Sequence, residues 1–159
     1  MKTMRISFAL VSAISLLTLP AFCTVWFIRR SATAAGYRLA FWTIGLVAML
    51  IHLFMAIGVL FEWNWSHVLF ETTRVTIPIP DLVLTLWWGF DVALGWWLLH
   101  ERKAWIRIQR ILVHVALLVV FLIGFIKEGD IALSRGIGIL LALCVVVSLV
   151  IWWMRKRRS

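Results

Sequence analysis

The chain is poor in charge, in cysteine and in the motifs that mark soluble enzymes. Only 14% of its 159 residues are charged and its mean hydropathy is +1.01, which excludes an ordinary soluble domain. The two cysteines, Cys23 and Cys144, lack the C-x-x-C spacing and nearby histidines of a metal site, so we expect free thiols and no bound metal. No Gly-rich phosphate loop, nucleophile elbow, metalloprotease helix or dinucleotide fingerprint occurs, which argues against soluble-enzyme catalysis.

Apolar residues make up 64% of the chain and fall into long uninterrupted runs. A helix needs about 20 apolar residues to cross a bilayer, and five runs meet that length: 6–28, 39–61, 80–99, 105–126 and 131–154. The sequence therefore predicts an all-α, polytopic integral membrane protein. We expect one transmembrane domain, 1–159, in which five transmembrane helices form an antiparallel bundle and residues 62–79 form an external loop.

The distribution of the 16 Lys and Arg residues predicts the orientation. In a bacterial-type inner membrane, Lys and Arg in short loops are retained on the cytoplasmic side. With five spans, one side of the membrane receives most of them: Arg29, Arg30, Arg38, Arg102, Lys103, Arg107, Arg110, Arg155, Lys156, Arg157 and Arg158. We expect an inner-membrane, multi-pass protein whose C-terminus is cytoplasmic and whose N-terminus is external.

The first run resembles a secretory signal, because it has a basic start, an apolar middle and small residues near Ala21. Cleavage there would leave four spans and would move nearly every basic cluster to the external side. The positive-inside rule therefore favours an uncleaved first helix.

The net charge of +9 does not indicate nucleic-acid binding, because the positive residues cluster at predicted helix ends. There they act as topology anchors and contact lipid headgroups.

Tryptophan is abundant, at 11 residues, and most of it is expected in the aromatic belts of the membrane interfaces. The predicted belt residues are Trp26, Trp42, Trp63, Trp65, Trp105, Trp152 and Trp153, to which Trp96 and Trp97 can be added. Trp87 and Trp88 instead fall inside the apolar slab.

Three ionisable residues lie deep in the predicted spans: His52, Asp91 and His114. Counted from the outer ends of their helices, their depths are roughly 13, 16 and 18 Å, near the middle of the bilayer. Such residues usually face protein or a cavity rather than lipid. We therefore expect them to lie at one level.

Helical spacing places Trp87, Trp88 and Gly95 on the same face as Asp91. His52 lies on a face of small residues suited to close helix packing, and the second and third predicted helices are expected to meet there. His114 is surrounded by bulkier residues and is less clearly tied to the other two.

Four interpretations of this polar group remain open. Asp91 and His52 can form a structural hydrogen-bonded pair that holds two helices in register. His52 and His114 can ligate a haem b iron. Asp91 with the faces of Trp87 and Trp88 can bind a quinone headgroup or an organic cation, as in a small cation or proton-coupled transporter. The default is a non-catalytic accessory, scaffold or assembly subunit of a larger membrane complex, which contacts lipids and other membrane subunits.

Overall fold

The computed structural model describes residues 32–60, 62–66, 78–98, 103–127 and 132–157. In these ranges the chain forms four long helices and no strand. They are α1 (Ala32–Leu60), α2 (Pro78–Trp97), α3 (Ala104–Lys127) and α4 (Ala132–Lys156). The protein is therefore all-helical over its described part.

The four helices correspond to the second to fifth predicted runs. The first predicted run, 6–28, lies outside the described residues, as does Cys23. α1 begins at Ala32 rather than at Leu39, because a helix does not stop where the apolar run stops and Ala-rich sequence favours its continuation. Cys144, on α4, is a free thiol as expected.

α1 ends in a turn that folds a tryptophan back onto the helix. Glu62 and Trp63 both have positive φ, 49° and 60°, and the Trp63 amide donates to the Ile57 carbonyl at 3.1 Å, which satisfies one of the last carbonyls of the helix. The Trp63 ring then packs edge-on against Phe54, with ring centroids 4.8 Å apart. A Cβ at Gly58 would lie 2.8 Å from this ring, so the glycine makes room for it.

The helices pack in chain order: α1 on α2, α2 on α3 and α3 on α4. Gly95 faces Leu39 and Gly89 faces Leu46, so residue numbers fall on α2 as they rise on α1, and the two helices are antiparallel. Only residues 98–103 separate α2 from α3, and only 128–131 separate α3 from α4. Such short connections between packed helices make antiparallel neighbours.

All four helices contribute to one apolar core. Its buried members recur at helical spacing, and they are Trp42, Leu46, Met49, Leu84, Trp88, Val92, Val113, Leu117 and Leu141. Helical hydroxyls do not need partners on other helices, because each can bond a carbonyl one turn earlier. Thr43 donates to Leu39 and Ser148 to Cys144 in this way.

Three of the described helices are long and apolar enough to cross a membrane: Ala35–Gly58 in α1, Ala104–Ile123 in α3 and Arg135–Lys156 in α4. Only 17–22% of each span is buried inside the chain, and large apolar side chains such as Leu86 and Phe54 are exposed. This is a membrane protein with transmembrane helices. α2 is not among the three, since Asp81, Asp91 and four tryptophans reduce its hydropathy.

Candidate functional site

The Asp91 carboxylate lies where α1, α2 and α3 meet. It has no exposed area, and both of its oxygens are engaged. The Trp42 indole of α1 donates from Nε1 to Oδ2 at 2.8 Å, and Nε of Arg110 on α3 lies 3.4 Å from Oδ1. The first contact has the short length of a hydrogen bond to a charged acceptor, while the second is long and acts mainly through charge. One carboxylate thus links three helices.

Trp42 is the centre of the aromatic packing around this carboxylate. Its ring stacks on His114, with centroids 3.7 Å apart and planes 10° from parallel. It also contacts Trp88, with centroids 4.7 Å apart and planes tilted by 42°. Both tryptophans are fully buried. We refer to Trp42, Trp88, Asp91, Arg110 and His114 as the Asp91 cluster.

The His114 imidazole is oriented by its own helix. Its Nδ1 lies within hydrogen-bond distance of the Arg110 carbonyl, one turn earlier. Because a carbonyl only accepts, this bond requires the proton on Nδ1. The ring is therefore held between the α3 backbone and the Trp42 face, in a tautomer set by that bond.

Arg110 is the member of the cluster that reaches the surface. Its side chain is 29% exposed, whereas Asp91 is fully buried. A glycine at position 95 of α2 lets the guanidinium approach, because a Cβ there would lie 3.4 Å from Nη2 and 2.6 Å from Leu39 Cδ1. The ion pair is thus buried on its acidic side and open on its basic side.

Two neighbouring polar groups are buried without a hydrogen-bond partner among the described residues. They are the Trp88 indole N–H and the Gln109 side-chain amide. Gln109 lies beside the Asp91 carboxylate without a well-formed hydrogen bond to it. Buried polar groups are nearly always bonded, so these two groups are unusual.

The structure brings together part of the predicted polar group. Asp91, Trp88 and His114 meet around Trp42, and Trp87 packs at the edge of the core. His52 lies elsewhere: it is half-buried and ten residues after Trp42, about 15 Å further along α1. Asp91 pairs with Trp42 and Arg110 rather than with His52.

The sequence predicted other roles for Trp42 and Arg110, the two partners of Asp91. Trp42 was expected in the interfacial belt, but it is 1% exposed and belongs to the core. Arg110 was expected to act as a topology anchor, but it forms the ion pair. A signal for Arg110 exists in the sequence, since it precedes His114 by one turn and so shares its face. No comparable signal distinguishes Trp42 from the other tryptophans.

The arrangement links three helices through one carboxylate. The described residues contain no group of three or more potential metal ligands. His114 lies at the level of Trp42 and His52 about 15 Å away, so the geometry gives no support to one iron held between the two histidines. No family model, curated protein or solved structure matches this chain, so the functional conclusion rests on the geometry.

Proposed function

We propose that the protein is a non-catalytic accessory, scaffold or assembly subunit of a larger membrane complex. The observation that carries this proposal is that both oxygens of Asp91 are engaged by the chain's own side chains. A cation or a mobile proton at this carboxylate would have to compete with Arg110. A carboxylate neutralised in this way instead holds α1, α2 and α3 in one register.

The outer surface of the helices supports the same role. On α2, Val83, Leu86 and Phe90 form an exposed apolar stripe at i, i+3 and i+7. Because α2 packs between α1 and α3, this stripe presents apolar side chains to lipid or to a helix of another subunit.

The test is purification from native membranes in mild detergent, followed by determination of subunit stoichiometry. We expect another membrane protein to co-purify in a fixed ratio. The double variant Asp91→Asn/Arg110→Leu, which removes both charges, is expected to keep that partner and the activity of the complex. A monodisperse lone protein that shows Asp91-dependent cation uptake would contradict the proposal and favour a transporter.

For topology, we propose an inner-membrane protein with five transmembrane helices in an antiparallel bundle and a cytoplasmic C-terminus. α2 packs antiparallel along α1, which supports the proposal that it crosses the bilayer with that helix. The antiparallel order also brings Arg38, Arg107 and Arg110 to the same end of the protein as Arg155 at the end of α4, as the positive-inside rule requires. We call this the basic end.

Reporter fusions test this orientation. A C-terminal fluorescent protein is expected to fluoresce, and a C-terminal alkaline phosphatase is expected to be inactive. In the segment between α1 and α2, the phosphatase is expected to be active and the fluorescent protein dark. Activity of the phosphatase at the C-terminus would reverse the orientation.

Quinone binding is the second candidate, because one observation favours it. The Trp88 N–H and the Gln109 amide are buried, without partners among the described residues, and a quinone headgroup carries carbonyls that accept from such donors. Extraction of the purified protein with organic solvent and chromatography would detect a bound quinone, and Trp88→Phe is expected to reduce the amount of quinone extracted.

A visible spectrum of the same sample tests the haem b alternative, which requires a Soret band that is lost in His52→Ala and His114→Ala.

A further inference from the structure

α1 carries three stripes of residues, roughly a third of a turn apart around the helix, and the stripes differ in burial. The first is buried, and it comprises Leu39, Trp42, Leu46 and Met49. The second is exposed, and it comprises Ile44, Val47, Ile51 and Phe54. The third is buried or half-buried, and it comprises Phe41, Gly45, Ala48, His52 and Met55. We call this third set the covered stripe.

The burial of the covered stripe is not explained by the core of the described helices. Ala48 is only 7% exposed, whereas the neighbouring Val47 is 50% exposed, and Gly45 is also buried. Ala48 is not a member of the apolar core that α1 to α4 share. α2 lies against a different stripe, at Leu39 and Leu46. The cover of Ala48 therefore comes from outside that core.

The apolar run 6–28, which lies outside the described residues, is the segment of the chain best placed to provide this cover. Only residues 29–31 separate it from the start of α1 at Ala32, and so short a connection between packed helices makes antiparallel neighbours. α2 occupies the first stripe of α1, and the second stripe keeps about half of its area exposed. The covered stripe is the face that remains for the run.

The two segments also match in side-chain size. An antiparallel arrangement pairs residues that are equally far from the connection, which places Ser15 opposite Gly45 and Ser12 opposite Ala48. Each pair of small residues is three positions apart, so its members share one helix face. Small residues on both sides let two helices approach closely in a membrane, and a serine hydroxyl can bond a carbonyl of its own helix.

We propose that residues 6–28 pack antiparallel along the covered stripe of α1, with Ser12 opposite Ala48 and Ser15 opposite Gly45. This packing rests on the proposed five-helix topology and gives the first helix its place in it. The first run is then a structural part of the bundle. The exposed stripe of α1 remains available to lipid or to another subunit.

Disulfide formation in native membranes tests this packing, in the full chain carrying Cys23→Ser and Cys144→Ala. In the pair Ser12→Cys/Ala48→Cys we expect mild oxidation to remove both free thiols within one chain, since a disulfide needs Cα atoms about 4.4–6.8 Å apart. The matched control is Ser12→Cys/Leu50→Cys. Leu50 is 51% exposed and lies on nearly the opposite side of α1 from Ala48, so this pair should keep its thiols.

A second pair tests the same register at another point of the stripe, in case a cysteine at position 48 disturbs the close packing. Phe8 falls opposite His52, so Phe8→Cys/His52→Cys is expected to lose both thiols as well. Its control is Phe8→Cys/Phe54→Cys, because Phe54 is 64% exposed and faces away from the covered stripe.

The intact mass of the purified chain separates the possible failures. If residues 6–28 are present and neither pair forms a disulfide, or if the controls react as readily, the packing is wrong while the five-helix topology stands. A disulfide-linked dimer would place a second copy on this stripe and would also overturn the proposal. A mass that lacks the first run would overturn both the packing and the topology. Co-purification of a partner, which tests the proposed function, is independent of all these results.

Discussion

The ion pair between Asp91 and Arg110 should respond unequally to removal of its two partners. Arg110→Leu leaves a carboxylate with no exposed area and only the Trp42 donor, and stranding a buried charge costs about 3–5 kcal/mol. Asp91→Asn leaves instead an arginine that is already 29% exposed and can turn toward the headgroups. The asparagine still accepts from Trp42, so we expect a loss of only about 1 kcal/mol.

The double variant Asp91→Asn/Arg110→Leu carries no stranded charge, and we expect it to lose about 1–2 kcal/mol. It should therefore be more stable than Arg110→Leu alone. The coupling between the two positions is then about 3 kcal/mol, at the upper end of that for residues in contact.

The assay is the free energy of unfolding in mixed micelles, from titration with a denaturing detergent and followed by circular dichroism. Arg107→Leu is the matched control on the same helix, because that side chain is exposed, and its effect should stay within about 0.5 kcal/mol. If Arg110→Leu costs no more than Asp91→Asn, or if the double variant equals the sum of the single ones, the carboxylate is not held as a buried ion-pair partner.

Two further pairs of variants test the packing. Gly95→Ala should lower the free energy of unfolding by about 1 kcal/mol, because its Cβ would lie 2.6 Å from Leu39 Cδ1. Gly36→Ala, with no atom within 4 Å of its Cβ, should raise it by up to about 1 kcal/mol through helix propensity; equal effects in the same assay would refute the close contact. Trp42→Phe and Trp88→Phe lose the same volume, but only the first loses a bond to a carboxylate. We expect Trp42→Phe to cost about 1.5–3 kcal/mol more, and equal losses would contradict that role for the indole.

The prediction of helices was confirmed for four of the five apolar runs, because it rests on local properties. Apolar runs of the required length lie in four described helices, and three of these are apolar enough to cross a membrane. The burial of Asp91, which has no exposed area, was also predictable, since a carboxylate in an apolar run usually faces protein or a cavity rather than lipid. The prediction of its face was partly correct, because Trp88 and Gly95 both lie in the packed site.

The partners of Asp91 were not predictable in the same way. Counting depth from the ends of apolar runs placed it level with His52. The contacts of Gly95 with Leu39 and of Gly89 with Leu46 set a different register, in which Asp91 lies level with Trp42. The estimate failed because the ends of apolar runs are not fixed points along a helix, and the ten residues from Trp42 to His52 span about 15 Å.

Composition and hydropathy by themselves determined that this is an all-helical membrane protein with one conspicuous buried carboxylate, because the cost of exposing polar backbone and charge to lipid acts on each segment separately. Only the tertiary structure decided which groups neutralise that carboxylate. The choice depends on how far each helix slides and rotates against its neighbours, and contacts such as Gly95 with Leu39 and the stack of Trp42 on His114 set that position. These contacts join residues far apart in the chain, so no segment read alone contains them.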